Sequence, residues 1–306
     1  NDFSLGENEY FEYSVGGGQW VRFREIIENI KFGGSHGNLR LRGKSSKGTA
    51  LNSDSGYSKI EFTTENSPVD CTGDIRTLID YENYADVSTK DAMFRSLFYQ
   101  NKELKTAPKL PATTLASYCY YEMFSGCEAL TTAPEELPAT TLAEACYTQM
   151  FSGCKALTTA PTLLAETLAF GCCDEMFSGC TALKTAPKLP ATTLAEFCYH
   201  RMFSNCTTLS TAPELPAETL ADGCYMEMFS YCSSLSSVTM LATDVSAEMC
   251  LENWLYDAGT NDQGWGWPYP TLTLYNYDVR NKILELQNNG CNYLPELWSY
   301  DIRYKY

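Results

Sequence analysis

The chain has 306 residues, of which 44% are hydrophobic and 20% charged, and its formal net charge is −16. This hydrophobic content is too high for a fully disordered chain, and no apolar run approaches the roughly 18 residues of a membrane span. The acidic balance argues against nucleic-acid binding, because phosphate contacts need a basic face. Two histidines, His36 and His200, leave little material for histidine-based catalysis or metal binding.

Residues 1–68 are predicted to form a small β-sandwich module. Short alternating or apolar stretches, such as 10–15 and 20–23, are separated by turns rich in glycine and serine, and Gly16–Gly18 stands where a hairpin loop would fall. This segment carries eight basic and nine acidic side chains, which leaves 14 basic and 29 acidic side chains for the rest of the chain. We therefore expect a nearly neutral module followed by an acidic body.

The chain repeats itself between roughly residues 90 and 258. The pentapeptide MFSGC begins at Met123, Met150 and Met176, and it returns as MFSNC at Met202 and MFSYC at Met228. The steps are 27, 26, 26 and 26 residues. Repeats of this length indicate units that bury their apolar faces against their neighbours, with degenerate copies at the two ends.

Each unit is predicted to contain one helix and one short strand. Apolar residues of the first full copy recur at offsets of 0, 4, 5, 8, 9 and 12 between Leu115 and Cys127, which is typical of one face of a helix. The stretch Leu130–Ala133 is rich in threonine and bounded by Pro134, which indicates a brief strand. Since parallel strands lie about 4.8 Å apart and packed helices about 8–10 Å apart, the stack should curve with its strands on the concave face.

The predicted fold class is therefore α/β, a curved solenoid of 26-residue strand–helix units preceded by the β-sandwich. We expect domains at 1–68, at 69–258 with an N-terminal cap, and at 259–306 as a C-terminal cap. In that cap, a loop with two tryptophans (261–270) precedes a strand over 271–277 and a helix over 279–287. The cap should cover the open end of the stack.

The 14 cysteines form two ladders and a remainder. One ladder holds Cys119, Cys146, Cys172, Cys198, Cys224 and Cys250, and the other holds Cys127, Cys154, Cys180, Cys206 and Cys232. Cys71, Cys173 and Cys291 lie outside both. The paired CxxC motifs of zinc sites are absent from the sequence, and parallel side chains in a stack disfavour disulfides. We favour buried thiols, with some disulfides or metal chemistry as the alternatives.

The repeated run resembles the BspA-like, or Treponema-type, leucine-rich repeat of bacterial surface proteins. The resemblance rests on TAPELPAETLADGCYMEMFSYCSSL (211–235), in which MFSYC-x-x-L occupies the family's AFxxC box, and on the closing unit TMLATDVSAEMCLENWL (239–255), similar to surface proteins of gut Bacteroidales. The unit is 26 residues long, against the family's usual 23. FEYSVGGGQWVRF (11–23) is weakly similar to the β-module that often precedes such arrays.

The resemblance implies a secreted adhesion protein that binds a protein or glycan on host or neighbouring cells. It implies an extracellular or outer-membrane location, with a lipid anchor on a removed N-terminal segment as one option. It supplies no catalytic residues, and we expect no cofactor, no metal, no nucleic-acid partner and no membrane span. The ligand and the oligomeric state stay open.

Positions that vary between copies are the candidates for ligand binding, since invariant positions are expected to be structural. Two varying columns fall on or beside the predicted strand, and we expect them to form the binding surface of the concave face. These residues are Lys105, Thr131, Thr158, Lys184 and Ser210 in one column, and Lys109, Glu135, Thr162, Lys188 and Glu214 in the other. The alternative is that they are merely solvated.

Three functions compete at this point. The first is a non-catalytic binding or adhesion protein, favoured by the repeated scaffold. The second is a structural spacer that presents the N-terminal module. The third, and the least favoured, is an enzyme, which would need an exposed cysteine of lowered pKa or another catalytic group that the motifs do not provide.

Overall fold

A computed structural model describes residues 5–25, 27, 29–49, 58–63, 67–260, 270–288 and 298–302. Most of the tryptophan-containing loop and Cys291 lie outside the described residues. The strands, in chain order, are β1 (Tyr10–Val15), β2 (Val21–Phe23), β3 (Leu39–Lys44), β4 (Val69–Asp70), β5 (Leu104–Thr106), β6 (Glu136–Leu137), β7 (Thr162–Leu163), β8 (Ser237–Met240), β9 (Thr271–Leu274) and β10 (Ser299–Ile302). An α-helix, α1, covers Tyr277–Asn288, and short 3-10 helices cover Gly34–His36, Ile75–Leu78 and Tyr84–Asp86.

The N-terminal segment forms one antiparallel sheet in the order β2-β1-β3. Side chains alternate along β1, so that Phe11 is buried on the inner face and joins the core of the rest of the chain. Gly43 of β3 permits this packing, because a Cβ there would lie 2.3 Å from the carbonyl oxygen of Leu78. The predicted sandwich is wrong for the residues described here, which supply one sheet and pack its inner face directly on the body.

The predicted helix over residues 115–127 is also wrong, because this segment is a series of tight turns. Amides at alternate positions donate within the turn, as Met123 N does to Tyr120 O (3.2 Å). The amides between them donate to the next copy, as Phe124 N does to Met150 O (2.9 Å). In a helix, all of these amides would donate to carbonyl groups of the same segment. Here every second amide donates to a carbonyl group of the neighbouring copy instead.

The apolar spacing explains the error, because its period is 4 residues whereas a helix has 3.6. Every fourth residue of the turns takes a left-handed conformation, with φ of 57° at Tyr118, 52° at Glu122 and 72° at Gly126. This conformation costs non-glycine residues about 1–2 kcal/mol each. The side chains that follow it, such as Met123 and Cys127, are fully buried. The free energy gained from this burial and from hydrogen bonds to the next copy offsets the cost of the left-handed conformation.

In the inner copies the predicted strand contracts to a single bridge, whereas the corresponding stretches at the two ends contain β5, of three residues, and β8, of four residues. Isolated parallel bridges join Thr159 to Thr185 and Thr185 to Thr211, while β6 and β7 pair over two residues. A proline follows two positions after these threonines, as Pro187 follows Thr185, and proline cannot donate the next ladder bond. Consequently no continuous sheet runs through the described residues of the repeated region.

These findings overturn the predicted fold class. The described part of the chain contains one α-helix, α1 outside the repeated region, and small separate sheets, with most residues in turns and irregular structure. A curved α/β solenoid of strand–helix units is therefore wrong, and with it the leucine-rich-repeat and BspA-like interpretation. The predicted curvature and its concave face required packed helices, which are spaced more widely than paired strands. The described residues of the repeated region contain no α-helix.

Equivalent side chains of successive copies still pack into one core. Phe98, Phe124, Phe151, Phe177, Phe203 and Phe229 lie ring on ring, with centroids 5.4–5.8 Å apart in each successive pair. The residue before each phenylalanine, Leu97 in the first copy and a methionine in the other five, is buried as well. Burial of this kind stabilises a chain by about 1.5–3 kcal/mol for each large side chain.

The C-terminal region forms a parallel sheet in the order β10-β9-β8. The helix predicted over 279–287 is present as α1, and the predicted strand over 271–277 is present as the shorter β9. The Trp298 indole donates to Ala258 O at 3.1 Å, which ties the segment before β10 to the last turns of the repeated region.

Candidate binding surface

The ten residues predicted to bind a ligand are all exposed. We refer to them as the polar row: Lys105, Thr131, Thr158, Lys184 and Ser210 of the first column with Lys109, Glu135, Thr162, Lys188 and Glu214 of the second. Backbone hydrogen bonds connect several of them across copies, including Thr131 N to Lys105 O (3.0 Å) and Thr162 N to Glu135 O (3.0 Å). The structure therefore brings members of each column side by side, although no concave sheet carries them.

Four lysines dominate the charge of the polar row. Within the described part of the chain, Lys105, Lys109, Lys184 and Lys188 form no ion pair. Lysines that already hold carboxylates would gain little from a new anionic partner, because the existing pair must be broken first. These ammonium groups keep all three of their donors for a partner.

Sequence reasoning missed a second set of exposed hydroxyl groups beside the first column. These residues are Thr132, Thr159, Thr185 and Thr211, and all four are exposed. They are the same in each copy, so the criterion of variability assigned them to the interior. A true strand would have buried one of two consecutive residues, whereas the single bridge leaves each of these threonines and the residue before it at the surface.

An open groove lies close to the end of the polar row. It has a volume of about 660 Å³ and is lined by Thr192, Thr193, Pro216, Glu218 and Thr219, among others. Pro216 stands two residues after Glu214 of the second column. The lining is made of hydroxyl, apolar and carboxylate groups and includes no cysteine or histidine.

The variable positions after each Cys-Tyr pair have internal partners. The His200 Nδ1 atom lies 2.8 Å from Asp174 Oδ1, and the Arg201 guanidinium makes two bonds of 2.8 and 2.9 Å to Glu227. The bond to Glu227 raises the pKa of Arg201 above its ordinary value. His200 is thus a half-buried partner of a carboxylate 26 residues earlier.

The ladder cysteines are buried thiols. In the second ladder each Sγ lies 3.0–3.2 Å from the carbonyl oxygen of a phenylalanine in the preceding copy, as Cys180 Sγ does from Phe151 O (3.1 Å). Burial raises the pKa of Cys127, Cys180 and Cys232 to about 12. The thiolate is the reactive form of cysteine, so these groups are poor nucleophiles at neutral pH.

The described residues provide neither a metal-binding cluster nor a membrane-spanning helix. They contain no group of three or more His, Cys, Asp or Glu side chains placed to hold a metal ion. Among the same residues, no helix has both the length and the apolar character needed to cross a membrane.

Comparison with known proteins assigns no relative to this chain. No family model matches it. No curated protein and no solved structure matches it either. Proposals about its function must therefore rest on the chemistry of its own surface.

Proposed function

We propose that this chain is a non-catalytic binding protein that engages a macromolecular partner, a host protein or glycan, through the polar row. The observation that carries the proposal is the exposure of all ten positions together with four lysines that lack ion-pair partners among the described residues. Four free cations on a chain of net charge −16 offer a local contact for a partner with acidic or hydroxyl groups.

The absence of a catalytic role is part of the proposal. A thiol enzyme needs an accessible cysteine with a lowered pKa. Burial raises the pKa of Cys127, Cys180 and Cys232, and Cys172, whose pKa is lowered by its hydrogen bond with Cys173, is fully buried. The His200 imidazole faces the Asp174 carboxylate; the hydrogen bonds found for its ring involve no hydroxyl or thiol nucleophile.

The proposal also places the chain outside the cell, on the outer-membrane surface or released from it. A partner on host or neighbouring cells can be reached from there and from nowhere inside the cell. Protease treatment of intact producing cells tests this location: we expect the chain to be cleaved while a cytoplasmic marker survives. Cleavage that requires cell lysis would contradict the proposed location and would leave the binding proposal unaffected.

The binding proposal is tested with labelled full-length chain on an array of host glycans and extracellular proteins. We expect the doubly substituted variant Lys184→Gln with Lys188→Gln to bind its array partner at least about tenfold more weakly, a loss of about 1.4 kcal/mol. The matched control replaces Lys102 and Lys155, two exposed lysines outside the polar row, by glutamine. The control should stay within about twofold of the unsubstituted chain.

Two results would contradict the proposal. Equal losses in the variant and the control would mean that net charge alone determines binding. No loss in either variant would move the binding site away from the polar row, which is the outcome expected if the repeated region is only a spacer.

A further inference from the structure

The outer face of the first sheet carries a concentration of positive charge in an acidic protein. Side chains at alternate positions of β3, namely Arg40, Arg42 and Lys44, project on the same side of the sheet as Arg22 of β2, because β1 pairs Glu12 with both Arg42 and Arg22. We call this surface the arginine face.

Aromatic rings beneath the arginine face hold its guanidinium groups. The Arg22 guanidinium lies 3.5 Å from the ring centre of Tyr10. The Arg42 guanidinium lies 4.0 Å from the Trp20 ring and 4.1 Å from the Tyr81 ring. Such contacts contribute about 0.5–1 kcal/mol each at exposed sites, and they use the flat surface of the guanidinium, so that the N–H donors in its plane remain available.

The carboxylates of this face leave part of its charge uncompensated. Glu12 accepts from Arg42 Nε at 2.7 Å and lies 3.5 Å from Arg22, while Lys44 pairs with Glu82 at 2.5 Å. Arg40 bonds the Ser14 hydroxyl at 3.0 Å and forms no ion pair within the described residues. The Arg22 side chain is 60% exposed, so its outer edge faces solvent.

We propose that the arginine face binds a sulfated polysaccharide. Its cations on β3 form a line with about 6.7 Å between successive side chains, which suits a linear polyanion better than a single small anion. A sulfate group stays charged at all physiological pH values and offers three oxygens, so one group can accept from the forked donors of an arginine and from a neighbouring cation.

The alternative polyanion, single-stranded nucleic acid, fits this face less well. Proteins bind single strands by stacking bases on open aromatic rings. Here guanidinium groups already cover the rings of Tyr10, Trp20 and Tyr81. The arginine face also shares no residue with the polar row, so the two binding proposals can fail separately.

The experiment measures binding of the full chain to heparin, a sulfated polysaccharide, by titration calorimetry at several salt concentrations. We expect binding that weakens with added salt, because salt screens exposed charges. Arg22→Gln combined with Arg40→Gln should weaken it by at least about tenfold. The variant carrying Lys102→Gln and Lys155→Gln loses the same charge at exposed positions outside both surfaces and should bind heparin as the unsubstituted chain does.

A conservative variant distinguishes a loss of binding from a loss of folding. Arg22→Lys with Arg40→Lys keeps the charge and loses the planar fork, so we expect an intermediate affinity. Three results would overturn the proposal: no binding to heparin, an equal loss in the variant carrying Lys102→Gln and Lys155→Gln, or equal binding of desulfated heparin. Binding of a poly-dT oligonucleotide as tight as that of heparin would assign the face to nucleic acid instead.

Discussion

At the scale of single residues, left-handed backbone conformations determine how the repeated region turns. Among the described residues, sixteen of the seventeen non-glycine residues with positive φ lie at or after Ala92, and in the turns they recur at every fourth position, as at Ala145 and Gln149. Each of those before the last copy places the side chain of the next residue in the core, as Tyr118 does for Cys119, while its own amide donates to the next copy, as Tyr118 N does to Glu144 O (3.0 Å). The turns therefore carry local strain that packing opposes.

Ala92 offers a direct measure of this strain. Its φ is 53°, and its methyl group is half-buried. We expect Ala92→Gly to raise the free energy of unfolding by up to about 1 kcal/mol, because glycine avoids the left-handed cost. Ala116→Gly, at a position of ordinary φ, should instead lower it by about 0.5–1 kcal/mol. Urea unfolding followed by circular dichroism distinguishes the two, and a loss of stability in both variants would contradict the account.

At the scale of elements, the stacked rings from Phe98 to Phe229, which we call the phenylalanine column, provide the regular packing of the repeated region. The predicted helices and continuous sheet would otherwise have provided it. Phe151 lies between Phe124 at 5.4 Å and Phe177 at 5.5 Å, with its ring within 12° of parallel to each. Its side chain is fully buried. The column continues through turns that contain neither regular helix nor sheet, so its integrity depends on side chains rather than on one secondary-structure type.

Phe151→Ala should therefore lower the free energy of unfolding by about 3–5 kcal/mol, the usual cost of emptying a buried phenylalanine site. The matched substitution is Phe170→Ala, since Phe170 is 51% exposed and has one aromatic neighbour, Phe197, at 5.8 Å. We expect that control to cost less than about 1.5 kcal/mol. Chemical denaturation provides the measurement, and similar losses at the two sites would show that the column does not bear the packing assigned to it.

At the scale of the whole molecule, the buried thiols link stability to pH. Burial raises the pKa of Cys119, Cys127, Cys180 and Cys232 to about 12, whereas an unfolded cysteine ionises near 8.5. The folded state thus retains protons that the unfolded state releases. This contribution is complete below the unfolded pKa and is lost as the pH rises through the folded one.

We expect the urea midpoint of unfolding to stay level from pH 7 to about 8.5 and to fall as the pH rises toward 10. Replacing Cys127, Cys180 and Cys232 together by alanine should make that fall shallower, because three of the ionising groups are then absent. A midpoint that does not change up to pH 10, or a slope unaffected by the triple substitution, would contradict the role assigned to burial.

Much of the candidate binding surface could be predicted from the pattern of residues. The comparison between copies separated the exposed Lys184 and Lys188 from the buried Met202 and Cys206, because a side chain that must fill the same space in every copy cannot vary. The same comparison misplaced Thr185, whose constancy does not reflect burial. The binding role of the polar row stays a prediction.

The arrangement of the backbone could not be predicted in the same way. A spacing of four apolar residues is close to the helical 3.6, and the choice between helix and turns depended on where amides such as that of Phe124 find acceptors. Its acceptor, Met150 O, belongs to another copy. The arginine face likewise depended on the pairing of β1 with β2 and β3, which brings Arg22 and Arg42 to one carboxylate.

Amino-acid order alone thus specified which side chains are apolar, how often they recur and where charge accumulates, since these are local properties of the chain. Tertiary structure decided how the amides of the turns are satisfied, which strands pair and which cations lie over aromatic rings. The physical reason is that a hydrogen bond to a residue 26 positions away competes with a local one at nearly equal free energy, and only the packing of both segments determines the outcome.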